Sequence, residues 1–241
     1  GENDIVVIIA NKNYKTFGNT VEDVTFAHRD GEEFKRLATG PLQVRPDRVV
    51  HISDATTGRL GALFGDPRDA SPPRPADESL LRLLRGSKGG RLWVYYSGHG
   101  MTGRHPVSHD QEAFLLPTDV PPSRVASQGW AVRELEHALA RLSALAGHDG
   151  EVILVLDACF AGRSGSGDQI VKGASTGSVP IELAKPGPRF VRLFAAGREQ
   201  VAWWDESRQH GLFTDALVDA LYGLAATEGQ RHVTLRDIRT Y

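Results

Sequence analysis

Apolar residues occur along this chain in short runs that do not alternate with polar residues. The runs are Ile5–Ala10, Val49–Ile52, Leu92–Tyr96, Val152–Leu156 and Phe190–Ala195. Each is rich in Val, Ile, Leu or aromatic residues. A strand that is covered on both faces shows this continuous apolar pattern. We therefore predict five buried parallel strands.

Segments with helical spacing of apolar residues lie between and after these runs. They are Val24–Leu37, Asp77–Leu84, Val132–Leu145 and Phe213–Leu224, the last with Thr214 or a neighbour available as its cap. Strands that alternate with helices predict an α/β fold. We expect a mostly parallel sheet, helices on both of its faces and right-handed crossovers.

Three Gly-, Pro- and polar-rich stretches are predicted to be loops. They are Gly58–Pro75, Gly103–Val125 and Gly162–Pro188, and the third follows the only Cys. A loop as long as 162–188 inside a compact domain is usually functional or disordered, so we expect it to be flexible. We find no repeat and no linker and interpret residues 1–241 as one domain. Its last segment, VTLRDIRTY, is typical of a helix start, so the domain can belong to a longer protein.

Composition narrows the functional classes. The chain has 241 residues, 40% of them hydrophobic and 24% charged, and a net charge of -2. This balance argues against a nucleic-acid surface, and no apolar run reaches the roughly 20 residues of a membrane helix. The single Cys excludes an intrachain disulfide and a Cys-rich metal site. We expect a cytoplasmic protein without a cofactor, a metal, a nucleic-acid partner or a membrane partner.

Two predicted strands end next to residues whose side chains can take part in catalysis. The strand Leu92–Tyr96 continues into SGHG with His99, and the strand Val152–Leu156 continues into DACFAG with Cys159. Ligands of open parallel sheets bind beyond the carboxyl ends of the strands. If these two strands are neighbours, about 4.8 Å apart, then His99 and Cys159 can face each other.

A thiol and an imidazole in contact form a catalytic pair. A free thiol has a pKa near ~8.5, and a nearby imidazole can take its proton and later protonate a leaving amine. The glycines beside His99 would let a peptide approach the backbone, and the amides of Gly100 and Cys159 are candidate donors to an oxyanion. Without this context a lone Cys at a strand end is more often a small buried hydrophobe than a nucleophile, and a lone His between glycines is a weak signal of catalysis.

The two motifs YYSGHG and LDACFAG resemble those of the caspase-like cysteine peptidases, most closely the metacaspase and bacterial orthocaspase branch. The spacing from His99 to Cys159 is 159 − 99 = 60 residues, near the ~50 of caspase-type sequences. Three further segments resemble the family in the expected order: VEDVTFAHRDGEEFKRL, EAFLLPTDV and FAAGREQVAWWDESRQHGLFTDALVDAL. The resemblance implies a caspase–haemoglobinase fold with a six-stranded sheet and a Cys159/His99 dyad.

The resemblance also implies a preference for Arg or Lys before the scissile bond. Asp157, Asp30 and Ser97 match the positions that line this pocket in that branch, and two carboxylates favour a guanidinium or ammonium group. Trp203 and Trp204 are either packing residues or peptide contacts. The partner would be a protein or peptide with a basic residue before the cut, and a fused or associated regulatory domain is conceivable by analogy. By the same analogy, the setting would be bacterial stress, cell-death or defence signalling.

Departures from the pattern affect calcium and processing. Phe160-Ala161 stands where metacaspases often have His-Ser, and the region 162–188 offers only Asp168 and Glu182 as acids, which argues against a calcium switch. We expect self-cleavage in or beside this loop. The candidate sites are Arg163, Lys172, Lys185 and Arg189.

Other interpretations remain open. Asp157 could cap a turn, Asp30 could be a solvated charge and Ser97 a turn residue. The motif Gly98–Gly103 satisfies GxGxxG, but the following RHPVSHD is not a helix start, which argues against a dinucleotide site. The rival functions are a catalytically silent caspase-like scaffold or regulator, and a zymogen that needs a partner signal.

Overall fold

The structure is a computed structural model. It describes residues 1–66, 77–158, 160, 189–195, 204–205, 207–226 and 233–240, with backbone only at 204–205, 235 and 239–240.

Ten strands occur in the described residues. They are β1 (Ile5–Ala10), β2 (Val49–Ser53), β3 (Leu92–Ser97), β4 (Gly100–Arg104), β5 (Gln111–Leu115), β6 (Trp130–Ala131), β7 (Val152–Asp157), β8 (Phe190–Phe194), β9 (Trp204–Asp205) and β10 (His210–Gly211).

Seven α-helices accompany them in the same residues. They are α1 (Ala27–Thr39), α2 (Thr57–Phe64), α3 (Ser79–Arg85), α4 (Val125–Gln128), α5 (Val132–Ala146), α6 (Leu212–Asp219) and α7 (Leu235–Thr240). Short 3-10 turns at Lys15–Phe17, Pro46–Arg48 and Pro122–Arg124 and a π-helical turn at Ala220–Leu224 complete the described elements.

The central sheet is parallel and has the order β2-β1-β3-β7-β8. All five predicted strands are confirmed, with ends that differ by one residue at most. β1, β3 and β7 are buried along their whole length because each lies between two strands and two layers of helices. β2 and β8 form the edges and are partly exposed. The described residues thus supply five of the six strands that the resemblance implies.

Alternate residues of the central strands face two separate cores. On one face, Val7, Val94 and Leu154 pack with α2, α3 and α5. On the other face, Tyr95 and Val155 pack with α1 and α6. Because strand side chains alternate with a period of two, residues with the parity of Tyr95 and Val155 point towards α1 and α6. The mostly parallel α/β sheet with helices on both faces is therefore confirmed.

Two of the predicted loops are wrong in part. The stretch Gly58–Pro75 contains most of α2, because Leu60, Leu63 and Phe64 form a buried helical stripe and the Thr56 hydroxyl accepts a hydrogen bond from the Arg59 amide (3.2 Å) at the helix start. The glycines of this stretch favour a loop when the sequence is taken alone. The positions 67–76 lie outside the described residues.

The stretch Gly103–Val125 is also not a plain loop. It holds most of an antiparallel hairpin, β4 with β5, which pairs further with β6. Ala113, Phe114 and Leu115 bury this hairpin against the domain, and that burial outweighs the polar and Gly-rich composition.

The last long predicted helix ends early and has no Thr cap. α6 covers Leu212–Asp219, and the π-helical turn that follows contains Gly223 at a φ of 109°. A positive φ is a conformation in which glycine is favoured, so the α-helix cannot continue through it. Thr214 lies inside α6 rather than at its cap.

Candidate active site

The carboxyl ends of β3 and β7 lie side by side. Ser97 pairs with Asp157 in the parallel register, and the Gly98 amide donates to the Asp157 carbonyl (3.3 Å). His99 is two residues beyond Ser97 in the sequence, and Cys159 is two residues beyond Asp157. Cys159 itself lies outside the described residues.

The imidazole of His99 is buried, and one of its ring nitrogens takes part in a hydrogen bond. It is 4% exposed, and its Nε2 is 2.7 Å from the Glu22 carbonyl oxygen. A carbonyl only accepts, so Nε2 carries the proton and Nδ1 of the neutral ring is the basic nitrogen. Burial lowers the pKa of His99, although the Glu22 carbonyl and the charges of Asp23 and Glu22 oppose this. At neutral pH the imidazole is therefore a base that can accept a proton.

Two buried tyrosines fix the backbone of His99. The Tyr14 hydroxyl accepts the His99 amide (2.9 Å), and the Tyr96 hydroxyl lies 2.8 Å from the His99 carbonyl oxygen and 3.1 Å from that of Leu116. The Tyr14 ring also packs on the imidazole with 4.7 Å between centroids. Burial raises the pKa of Tyr14 to about 12 and that of Tyr96 well above its usual value, so both remain protonated.

Gly98 makes room for this tyrosine pair. A Cβ at position 98 would lie 2.8 Å from the Tyr96 hydroxyl, 2.9 Å from the Tyr14 hydroxyl and 3.0 Å from Asn11 Cβ. These distances are shorter than normal contacts of a Cβ atom. The packing of the two tyrosine hydroxyls beside His99 therefore favours glycine at position 98.

Gly100 begins β4, opposite Leu115 of β5. The preceding pair is hydrogen-bonded, because the Leu116 amide donates to the His99 carbonyl (3.0 Å). Hydrogen-bonded and non-hydrogen-bonded pairs alternate along an antiparallel ladder. The Gly100 amide therefore points away from β5.

Asp30 and Asp157, which are far apart in the sequence, meet around Gly211. A Cβ at position 211 would lie 2.7 Å from Asp157 Oδ2 and 3.4 Å from Asp30 Oδ2. Asp30 is 2% exposed, and its Oδ1 receives the Gly211 amide (3.2 Å) and contacts His210 Nδ1 (2.8 Å). Burial raises the pKa of Asp30, and the contacts with His210 and Gly211 oppose the rise.

Asp157 has a different set of partners. It is 9% exposed, and its Oδ2 receives the Thr214 hydroxyl at 2.6 Å. Burial, and then the nearby charge of Asp30, raise the pKa of Asp157 to about 7. Near neutral pH the two carboxyls together therefore hold a proton that a bound cation would displace.

The remaining predicted binding residues are Ser97, Trp203 and Trp204, and the structure describes them to different extents. Ser97 is buried and, being paired with Asp157, lies on the same face of the sheet. The backbone of Trp204 pairs with Gly211, next to the two carboxyls. The Trp204 side chain and all of Trp203 lie outside the described residues.

Several site residues were not found by sequence reasoning. Tyr14 and the Glu22 carbonyl act through contacts that no local motif marks. His210 and Gly211 contact Asp30 across about 180 positions. The sequence predicts Thr214 only as a candidate helix cap, and its position in the first turn of α6 is the one signal that the sequence offers.

Of the predicted self-cleavage sites, Arg189 alone lies in the described part. Its guanidinium donates to the Asp149 carbonyl (2.8 Å), and its own carbonyl receives the Val152 amide (2.8 Å) at the start of the β7–β8 ladder. Arg163, Lys172 and Lys185 lie outside it.

The described residues show neither a metal cluster nor a membrane helix. They contain no group of three His, Cys, Asp or Glu side chains that could hold a metal ion. In the same part of the chain, no helix is long and apolar enough to cross a membrane.

A cavity of about 690 Å³ lies at the opposite end of the sheet. Its lining includes Arg91 and Glu151, which precede β3 and β7, together with Leu221 and Ile238. None of the candidate catalytic or carboxylate residues lines it.

A parallel α/β sheet with a buried basic imidazole beyond one strand and the only Cys two positions beyond the next is the framework of a cysteine peptidase. The chain belongs to the caspase domain family, whose model matches residues 3–239. The fold is similar to that of caspase-1 from Spodoptera frugiperda, with a TM-score of 0.57 and 11% sequence identity over 92% of this chain and 69% of that chain. No curated protein matches the chain in sequence.

Proposed function

We propose that this chain is an endopeptidase that cleaves after Arg or Lys through a Cys159/His99 dyad, and that it belongs to the metacaspase and orthocaspase branch. The observation that carries the proposal is the buried carboxylate pair, Asp30 and Asp157, around Gly211. The similarity to an insect caspase supports the fold alone and does not bear on the preferred residue.

The proposed reaction uses the geometry around His99. Nδ1 of the neutral imidazole takes the proton of the Cys159 thiol, and the thiolate attacks the scissile carbonyl carbon. The developing oxyanion receives hydrogen bonds from the Gly100 and Cys159 amides. His99 then donates the proton to the leaving amine, and a water molecule hydrolyses the thioester with the same imidazole as base.

The acid pair supports selection of a cation. Each carboxyl is nearly buried, so its ionised form is poorly solvated and gains from a partner of opposite charge. A guanidinium or ammonium group between Asp30 and Asp157 would supply that charge. An acidic substrate residue would add a third negative charge, so cleavage after Asp is disfavoured.

A fluorogenic peptide panel tests the proposal. The peptides end in Arg, Lys, citrulline, Gln or Asp before the fluorophore and are otherwise identical; citrulline is the uncharged analogue of Arg. We expect turnover after Arg and Lys and at least about 100-fold lower kcat/KM after citrulline, which lacks the charge-assisted contacts. Asp157→Asn should reduce the preference for Arg over citrulline, and Cys159→Ala should abolish turnover.

The rival functions predict other results in this panel. Preferred turnover after Asp or Gln would refute the pocket assignment. Turnover that survives Cys159→Ala would refute the dyad. Silence of the wild-type enzyme towards all five peptides would favour the scaffold or the zymogen that needs a partner.

The cellular setting is part of the proposal. The single Cys suits a reducing cytoplasm, and the family analogy favours a bacterial stress, cell-death or defence role. Self-cleavage is proposed at Arg163, Lys172 or Lys185 in preference to Arg189, whose carbonyl takes part in the sheet ladder.

A further inference from the structure

A chain of buried hydroxyl groups ends on the pocket carboxylate. Thr214 is fully buried, and its hydroxyl donates to Asp157 Oδ2 at 2.6 Å. The hydroxyl of Tyr95 lies 2.6 Å from the same Thr214 oxygen. Both distances are short for bonds between oxygen atoms, which is expected where the final acceptor is a carboxylate.

When Asp157 is ionised, the direction of these hydrogen bonds is fixed by the number of protons. An ionised carboxylate only accepts, so Thr214 donates its single hydroxyl proton to Asp157. The Thr214 oxygen is then an acceptor for Tyr95, which must donate. Burial, and then the charges of Asp157 and Asp30, raise the pKa of Tyr95 well above its usual value, so Tyr95 keeps the proton that it donates.

Packing holds the first donor in place. The Tyr95 ring stacks on Phe34 of α1, with 4.4 Å between centroids and 16° between planes, and it is completely buried. This hydrogen-bond relay of Tyr95, Thr214 and Asp157 therefore connects the centre of β3 with the first turn of α6 and ends at the last residue of β7.

The two carboxyls of the pocket rely on different donors. Asp30 is held by His210 and by the Gly211 amide. Burial and the charge of Asp30 raise the pKa of Asp157, and the hydroxyl and amide of Thr214 are the groups that oppose this rise. Loss of the Thr214 hydroxyl would thus act on Asp157 far more than on Asp30.

We propose that Thr214, with Tyr95 behind it, is a positioning residue that orients Asp157 and favours its ionised form, and thereby sets the preference for a cationic residue before the scissile bond. This inference rests on the proposed function and assigns a specificity role to two residues that do not touch the reacting atoms. Gly211 also helps to keep Asp157 in position, because a side chain at position 211 would displace the Asp157 carboxylate.

The experiment compares Arg and citrulline peptides on Thr214→Val, which removes the hydroxyl and keeps the shape. A hydrogen bond to a charged group is worth about 1.5–3 kcal/mol, so kcat/KM for Arg should fall about 10- to 100-fold while that for citrulline stays within about threefold. Thr214→Ser should restore the Arg preference. Tyr95→Phe should give a smaller loss in the same direction.

A pH profile separates positioning from a structural role. Among the described residues, the ionisable groups around Asp157 are Asp30 on α1, His210 in β10 and Tyr95 on β3, with Arg29 beside Asp30. Only the donor to Asp157 is changed in Thr214→Val. The pH of half-maximal kcat/KM for Arg should therefore move upwards, and the citrulline profile should not move.

Thr57→Val is the matched control, because it also removes a hydroxyl that donates to a carboxylate, Asp119 (3.1 Å), but at the exposed start of α2. It should leave the Arg preference unchanged. An unchanged ratio of kcat/KM for Arg to that for citrulline in Thr214→Val, whether both values fall equally or neither falls, would overturn the inference. If Thr214→Val does not fold, Tyr95→Phe with an unchanged ratio would overturn it instead. A wild-type enzyme that does not prefer Arg would refute the proposed function and not the relay alone.

Discussion

The buried acid pair has a measurable consequence for folding. Asp157→Asn replaces the carboxyl with an uncharged group of the same shape, close to the protonated acid. Burial and Asp30 raise the pKa of Asp157 from 3.8 to about 7 in the folded protein. Each pKa unit is worth ~1.4 kcal/mol, so the ionised form costs the folded state about 4 kcal/mol relative to the protonated form.

The sign follows from proton binding. Between pH 4 and pH 7 the folded state binds more protons at Asp157 than the unfolded state, so this group's contribution to stability falls as pH rises through that range. Above about pH 7 the loss is complete. Asp157→Asn lacks this loss. The free energy of unfolding of Asp157→Asn, relative to that of the wild type, should therefore rise by up to about 4 kcal/mol between pH 4.5 and pH 8.5.

Urea unfolding over this pH range measures the difference, with Cys159→Ala in both proteins to prevent self-cleavage. Titrating groups other than Asp30, whose charge is coupled to that of Asp157, are common to both proteins and cancel in the difference. Asp149→Asn is the control: its pKa is lowered by the Gly89 amide, so it titrates below the range and its stability difference should stay constant. Parallel plots of the free energy of unfolding against pH for Asp157→Asn and wild type would refute the raised pKa of the buried Asp157 carboxyl.

Three further results are expected. Gly98→Ala should lower the free energy of unfolding by about 1–3 kcal/mol, because its Cβ would overlap the tyrosine hydroxyls, whereas Gly61→Ala, whose Cβ meets nothing within 4 Å, should not; equal melting temperatures would contradict this. Binding of a peptide with a terminal arginine amide to Cys159→Ala, followed by calorimetry, should weaken up to about tenfold per pH unit below pH 7 as Asp157 takes up its proton; a constant Kd would exclude a titrating pocket. Wild type should lose intact mass on incubation and Cys159→Ala should not; an unchanged wild-type mass would end the self-cleavage proposal.

The continuous apolar runs were sufficient to predict the sheet. β1, β3 and β7 lie between neighbouring strands and helices, so every position is apolar and the pattern is unambiguous. Short elements were harder. In α2 and in the β4–β5 hairpin a few buried side chains outweigh glycines and polar residues, and burial is a property of the tertiary structure rather than of the local sequence.

The candidate site divides in the same way. His99, Asp30 and Asp157 could be selected because motifs beside them resemble those of a known family. Tyr14 and Thr214 could not be assigned, because their roles depend on contacts across 85 and 57 positions. The resemblance pointed to Asp30 and Asp157 as candidate pocket residues, and the geometry shows the donors that contact them.

One measurement tests the central claim most directly: intact mass after brief treatment with a peptidyl-arginine acyloxymethyl ketone, which alkylates a catalytic thiolate. We expect one adduct on the wild-type protein, mapped to Cys159, much slower labelling of His99→Ala, and none with the matching aspartyl reagent. No adduct with the arginyl reagent, or faster labelling by the aspartyl one, would contradict the account.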